Sequence, residues 1–162
     1  MSTNGGPDDA HGARQRQWLF LGLLFFVYAI AAFVSDGLHQ PLFKDEKHFW
    51  LTVELFQGYG FPPTVTELRS YPELLTPLSF MVWSQLDSLT GGGIFSGRLL
   101  NLLLSFVVIC IIAVRRRPDN TALLAGVGLL LYPYTLPLSV HLYTDVPGIF
   151  LMIVGTAFYA HR

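Results

Sequence analysis

Long apolar runs separated by polar interruptions set the architecture expected of this chain. Trp18–Val34 is the first run, and it just meets the roughly 17-residue lower limit for a membrane-spanning helix. A cleaved signal peptide ending near Ala31–Ala32 is the competing reading; the length of the apolar run and of its polar leader favour a retained span. Ile94–Val114 is the second run and is closed by Arg115–Arg117. Thr121–Ser139 is the third, with Pro133 and Pro137 loosening its far end, and the shorter Val146–Ala160 is the fourth. Upstream, residues 1–17 are polar and rich in Gly and Asp, the pattern of a disordered tail.

The stretch from Ser35 to Gly93 is too polar to span continuously. Inside it, Lys44–Gln57 reads as a helix stopped by Gly58 and Pro62–Pro63. Asp45, Phe49, Val53 and Phe56 fall on one of its faces, which suits an interfacial helix. Tyr71–Thr90 is apolar but carries Glu73, Gln85 and Asp87 together with Pro72 and Pro77. Charge decides whether it crosses. If it lies on the surface, Arg14, Arg16, Arg115–Arg117 and Arg162 all fall on the cytoplasmic side; if it crosses, the Arg triplet is displaced outward against the positive-inside rule. The expected fold is therefore an all-α polytopic membrane protein. It has four transmembrane helices (about 18–34, 94–114, 121–139 and 146–160) plus two juxtamembrane helices (about 44–57 and 71–90) in a first outer loop, 35–93. Residues 1–17 are its cytoplasmic tail and 18–162 a single membrane domain.

Composition agrees with this reading, because 52% of residues are apolar and only 13% are charged, too greasy for an ordinary soluble domain. With a net charge of −1 there is no basic surface to collect phosphates, so nucleic acid is excluded as a partner. The single cysteine, Cys110, excludes an intramolecular disulfide and a cysteine metal cluster.

Two acidic motifs carry the candidate chemistry. In Lys44-Asp45-Glu46-Lys47-His48, adjacent carboxylates open a helix beside apolar surface, where a raised pKa makes a better general base. In Tyr143-Thr144-Asp145, a carboxylate stands at the mouth of the fourth span, an acid that calls for a partner. Each has a plain structural reading as a helix cap. The topology puts both on one side, so Asp45 or Glu46 is the partner expected for Asp145. His48 and His141 fall on that side too, and with the acids they compose a possible divalent-metal site. Arg69 and Tyr71 are candidates for a lipid phosphate. Arg98 and Asn101 open the second span, positioned to snorkel or to pair across helices.

This order of features resembles the GT-C superfamily of membrane glycosyltransferases, which use polyprenyl-phosphate-linked sugars. The resemblance is carried by a first span leading into a long outer loop opened by Lys44-Asp45-Glu46 and His48-Phe49-Trp50. Two juxtamembrane helices follow, then Gly97-Arg98-Leu99-Leu100-Asn101 at the start of the next span, and Tyr143-Thr144-Asp145 in a second outer loop. It implies transfer of a hexose-like sugar from a polyprenyl-phosphate donor to an acceptor hydroxyl on the outer or lumenal face, with inversion. Asp45 is the expected base and Glu46 its runner-up, with Asp145 orienting the acceptor or holding a metal. His48, Arg69, Tyr71, His141 and Tyr143 would bind substrate or lipid phosphate. Members of that superfamily have many more than four spans, so further C-terminal transmembrane segments of the same gene product are expected as partners, besides membrane lipids. A bacterial plasma membrane is favoured over the endoplasmic reticulum. A small non-catalytic membrane subunit and a transporter-like protein are the alternatives. Spans almost free of ionisable groups between their ends count against transport.

Overall fold

Helix α1 (Pro7–Val34) opens on a proline, whose fixed φ suits the first helical turn. The computed structural model describes residues 7–71, 76–113, 120–132 and 134–160. Pro72, Glu73, the Arg115–Arg117 cluster, Pro133 and His161–Arg162 lie outside the described residues. The helical start at Pro7 corrects the expectation of disorder up to Gln17. Once the apolar half is helical, each added residue gains a hydrogen bond, and Ala13, Arg14, Gln15, Arg16 and Gln17 are good or adequate helix formers.

Every regular element among the described residues is helical. After α1 come α2 (Lys44–Gln57), which stops at Gly58, and the short α3 (Val65–Arg69). A reciprocal capping box starts α3: the Thr64 hydroxyl accepts from the Glu67 amide while the Glu67 carboxylate accepts from the Thr64 amide. Next is α4 (Leu78–Thr90), closed by Gly91 in the left-handed region at φ 61°. It begins after Pro77, where a helix was expected from Tyr71. Proline lacks the amide that a helix interior needs, so Pro77 is tolerated only at the start.

The remaining elements are α5 (Ile94–Ala113), α6 (Asn120–Leu131), α7 (Thr135–Val140) and α8 (Asp145–Ala160). The run expected as one span from Thr121 to Ser139 is thus two helices. Pro137 sits in the first turn of α7, where its missing N–H would be unsatisfied in any case, whereas inside a continuous helix its ring would meet the carbonyl four residues back.

Among the described residues, two helices are long and apolar enough to cross a bilayer: the Gln15–Val34 part of α1, with mean hydropathy 2.1, and the Ile94–Ile112 part of α5, with 2.2. Neither is a hidden core helix, since only 22% and 33% of these windows are buried. Large apolar side chains such as Leu19 (67% exposed) and Phe33 (85% exposed) face outward from α1, as lipid contact would permit and water would not favour. At 1.5 Å per residue the 16-residue α8 extends about 24 Å, short of a ~30 Å hydrocarbon core.

Helix α5 is the hub, packing against α1, α4, α6, α7 and α8, while α2 lies on α4. One apolar core joins Val53, Phe56, Phe80, Trp83 and Leu142; another joins Leu24, Tyr28 and Ile109 between α1 and α5. In the first core each such side chain contributes about 1.5–3 kcal/mol when fully withdrawn from water; between two helices in lipid, close packing takes the place of that driving force. Gly37 leaves room for Val140: a Cβ there would lie 2.8 Å from Val140 Cγ2 and 2.9 Å from its Cβ, an atom that cannot move without its backbone. A Cβ on Gly97 would lie 2.5 Å from Leu142 Cδ1, the movable end of a side chain.

Candidate functional site

The face that α2 buries is Glu46, Thr52, Val53 and Phe56, with Phe49 partly covered. The stripe therefore starts at Glu46, three residues before Phe49, and the expected Asp45 is rotated out to solvent. Glu46 is fully buried, and Arg98, in the second turn of α5, is 1% exposed. The two form a fork-to-fork pair: Arg98 Nε donates to Glu46 Oε1 at 2.8 Å and Nη2 donates to Oε2 at 2.6 Å. Arg98 Nη1 also donates to the carbonyls of Leu38 (2.9 Å) and Gln40 (2.8 Å), which fixes the chain between α1 and α2. The backbone amide of Leu142 completes the Glu46 shell, donating to Oε1 at 2.8 Å.

One turn further along α5, fully buried Asn101 donates from Nδ2 to the carbonyls of His141 (2.8 Å) and Tyr143 (3.1 Å). Arg98 and Asn101 occupy i and i+3, so a single helix face holds both strands of this junction. The 141–144 turn is thereby stapled to the start of α2. Both exposed acids follow from it: Asp45 precedes the anchored Glu46, and Asp145 opens α8 directly after the anchored turn.

Electrostatics mark the same junction. Burial alone would push the Glu46 carboxyl up, but the Arg98 hydrogen bonds, the Leu142 amide and the charges of Arg98 and His141 outweigh it and hold it below the usual carboxylate range. His141 Nδ1 lies 3.6 Å from Glu46 Oε2. Burial lowers the imidazole pKa; the Glu46 charge opposes this and Arg98 reinforces it, leaving a net decrease. The Tyr143 phenol is raised, first by burial and then by the charges of Asp45, Glu46 and Asp145. All three carboxylates therefore bear on one hydroxyl.

Beside Tyr143 opens a cleft of about 210 Å3, lined by Phe43, Tyr134, Pro137, Leu138, His141 and Tyr143. Phe43 and His141 meet edge to face with centroids 4.7 Å apart, and Phe49 bridges Tyr143 (6.2 Å) to Phe80 (5.8 Å).

Of the residues singled out in the sequence, the fold brings Asp45, Glu46, His141, Tyr143 and Asp145 together. His48 is exposed on α2 beside Phe49. Arg69 is exposed in the last turn of α3, where a cation complements the helix dipole. Tyr71 packs on Phe56 (5.6 Å) and Phe80 (6.1 Å) and belongs to the aromatic core. Phe56 stands ten residues beyond Glu46, about 15 Å along α2. Among the described residues, no group of three or more His, Cys, Asp or Glu side chains is gathered so as to hold a metal ion.

Glu46 is corrected from base to anchor. A carboxylate with no solvent exposure and three donors on it is stabilised as the anion and has little basicity to offer. What the sequence reading left unassigned is its partner. The signal was present: Arg98 is the one charged residue between Ile94 and Val114, and an ionisable group in an apolar helix requires a counter-charge. Comparisons with protein-family models, with curated proteins and with solved structures return no match.

Proposed function

We propose that this chain is the N-terminal part of a membrane glycosyltransferase of the GT-C type. It would move a hexose-like sugar from a polyprenyl-phosphate donor to an acceptor hydroxyl on the outer or lumenal face. In this reading α1, α5, the α6–α7 pair and α8 are the four membrane-crossing units, with α2 and α4 lying at the surface. The observation that supports it best is the Leu142 amide on Glu46, a contact that ties the first acidic motif to the second across 96 residues. Without that tie, two surface acids on different helices would have no reason to share a site.

Asp45 is the base. An alcohol is a weak nucleophile, so its proton must leave as the new bond to the anomeric carbon forms. The proton passes to the Asp45 carboxylate, the acceptor oxygen bonds to the anomeric carbon, and the lipid phosphate departs with the electrons of the broken C–O bond. Attack opposite the leaving group inverts the configuration, through a transition state of oxocarbenium character. Asp145 orients the acceptor, and the Glu46–Arg98 pair holds the two acids in register.

The test is transfer of radiolabelled hexose from a polyprenyl-phosphate donor by membranes containing the full-length gene product. Asp45→Asn lowers the rate by about 10²–10⁴-fold, the usual contribution of a positioned base, with no change in thermal unfolding. A variant that transfers sugar at the unaltered rate removes Asp45 from the mechanism.

A further inference from the structure

We propose that the cleft between Phe43 and α7 binds an uncharged, hydroxyl-bearing sugar ring, stacked on Phe43, Tyr134 and Tyr143 and hydrogen-bonded to His141 Nε2. The assignment of that ring as the acceptor rests on the glycosyl-transfer reading above; the binding itself does not.

Three observations converge on this ligand class. The first is shape and lining. At about 210 Å3 the cleft is smaller than the roughly 300–1,000 Å3 sites that receive drug-sized molecules, and it suits one ring. Three of its six lining residues are aromatic. The face of a pyranose presents C–H bonds whose slight positive charge matches the negative face of an aromatic ring.

The second is His141, which is 94% buried, being 6% exposed, and lines the cleft. Its Nδ1 lies 3.6 Å from Glu46 Oε2, too far for a hydrogen bond but close enough for that anion to favour the proton on Nδ1. With the proton there, Nε2 is left as a lone-pair acceptor, which a sugar hydroxyl can meet. Burial lowers the imidazole pKa and so favours the neutral ring that this bond requires.

The third is charge. The buried cation of this junction, Arg98, is sealed against Glu46 and two carbonyls. Asp45 and Asp145 both act on Tyr143 at the cleft wall. A phosphate would meet these two carboxylates and an acceptor nitrogen, and the exposed Lys44 and Lys47 already flank the acids of the first motif. A neutral ring is therefore favoured here over a phosphate, so of the two roles expected for His141 and Tyr143 this proposal takes the substrate one.

Saturation-transfer NMR on the chain in lipid nanodiscs tests this, with methyl α-glucopyranoside, methyl α-mannopyranoside and inorganic phosphate as probes. A methyl glycoside should receive saturation with an affinity insensitive to salt, because no ion pair is formed. Phosphate should receive none and should not compete. His141→Leu should weaken glycoside binding roughly 3–10-fold through loss of one hydrogen bond. Tyr134→Ala should weaken it as well; Tyr134 is 63% exposed at the rim, so this variant keeps the test valid if the His141 variant fails to fold. Saturation of phosphate, competition by it, or glycoside binding indifferent to Tyr134→Ala overturns the proposal. The transfer assay is read separately: glycoside binding without transfer sinks the enzyme reading and spares the cleft, whereas transfer with unaltered binding in both variants does the reverse.

Discussion

Removing one half of the Glu46–Arg98 pair should be the most damaging single substitution near the acidic edge. In Glu46→Gln the volume is kept, but the Arg98 charge remains 1% exposed with no counter-charge. Its Nη1 still reaches Leu38 and Gln40, so the guanidinium cannot swing to solvent without freeing two carbonyls. The new amide also presents a donor where either Arg98 or the Leu142 amide donates now. Breaking a buried pair in this way costs about 3–5 kcal/mol. For a chain of this length that corresponds to a fall in melting temperature of roughly 6–20 °C, at about 2–4 °C per kcal/mol. Replacing both partners, as in Glu46→Leu with Arg98→Met, removes the stranded charge and leaves unmet hydrogen bonds to Leu38, Gln40 and Leu142. The double variant should therefore lose less than the sum of the two single variants, a coupling of 0.5–3 kcal/mol in magnitude on the usual scale for contacting residues, with about 3 expected here. Thermal unfolding in nanodiscs, followed by circular dichroism and by fluorescence of buried Trp83, gives all four corners of the cycle. Glu46→Gln melting within about 1 kcal/mol of the parent, or strictly additive single variants, would refute the claim that this pair is sealed and mutually dependent.

On the proposed topology, with α4 at the surface, a reporter enzyme fused after residue 117 should be active only in the cytoplasm; extracytoplasmic activity would part Asp45 from Asp145 by a bilayer. Gly37→Ala should destabilise the fold by about 1–3 kcal/mol, since its methyl meets both Cβ and Cγ2 of Val140 within 2.9 Å and the backbones must separate; an unchanged melting temperature would show slack in that crossing. His141 has a lowered pKa in the fold, so the unfolded chain binds more protons below about pH 6.5. Stability from this group is complete above that pH and declines as pH falls toward its folded value. His141→Gln should flatten that decline, and a parent profile level from pH 7 to 5.5 would count against a buried neutral imidazole.

Local patterning made the helices legible, and long-range pairing made the site only half so. Helix α2 was readable because its limits are written locally, in the charged start at Lys44 and the stop at Gly58. Which face it buries was misread by one position. Asp45 and Glu46 differ by about 100° around the helix, and nothing nearby says which of two carboxylates turns inward. That choice is made by Arg98, 52 residues away. The late start of α4 and the division between α6 and α7 were missed, although Pro77 and Pro137 signalled them: one helix was expected over 71–90 and one span over 121–139, and each proline instead stands at or near a helix start. Tyr71 was misassigned because an aromatic next to Arg69 looks the same in sequence whether it meets a ligand or fills a gap beside Phe56.

Glu46 also imposes a timetable. Translation delivers its guanidinium partner 52 residues later and its final amide donor 96 residues later. At about 5–20 residues per second, the carboxylate waits roughly 5–20 seconds for its last hydrogen bond. During that interval it has to stay hydrated, so α2 can settle against the nascent helices only as a half-finished element. The acidic edge is thus completed only after Leu142 has been made, and a ribosome stalled before that residue would leave Asp45 attached to an anchor that has not yet closed.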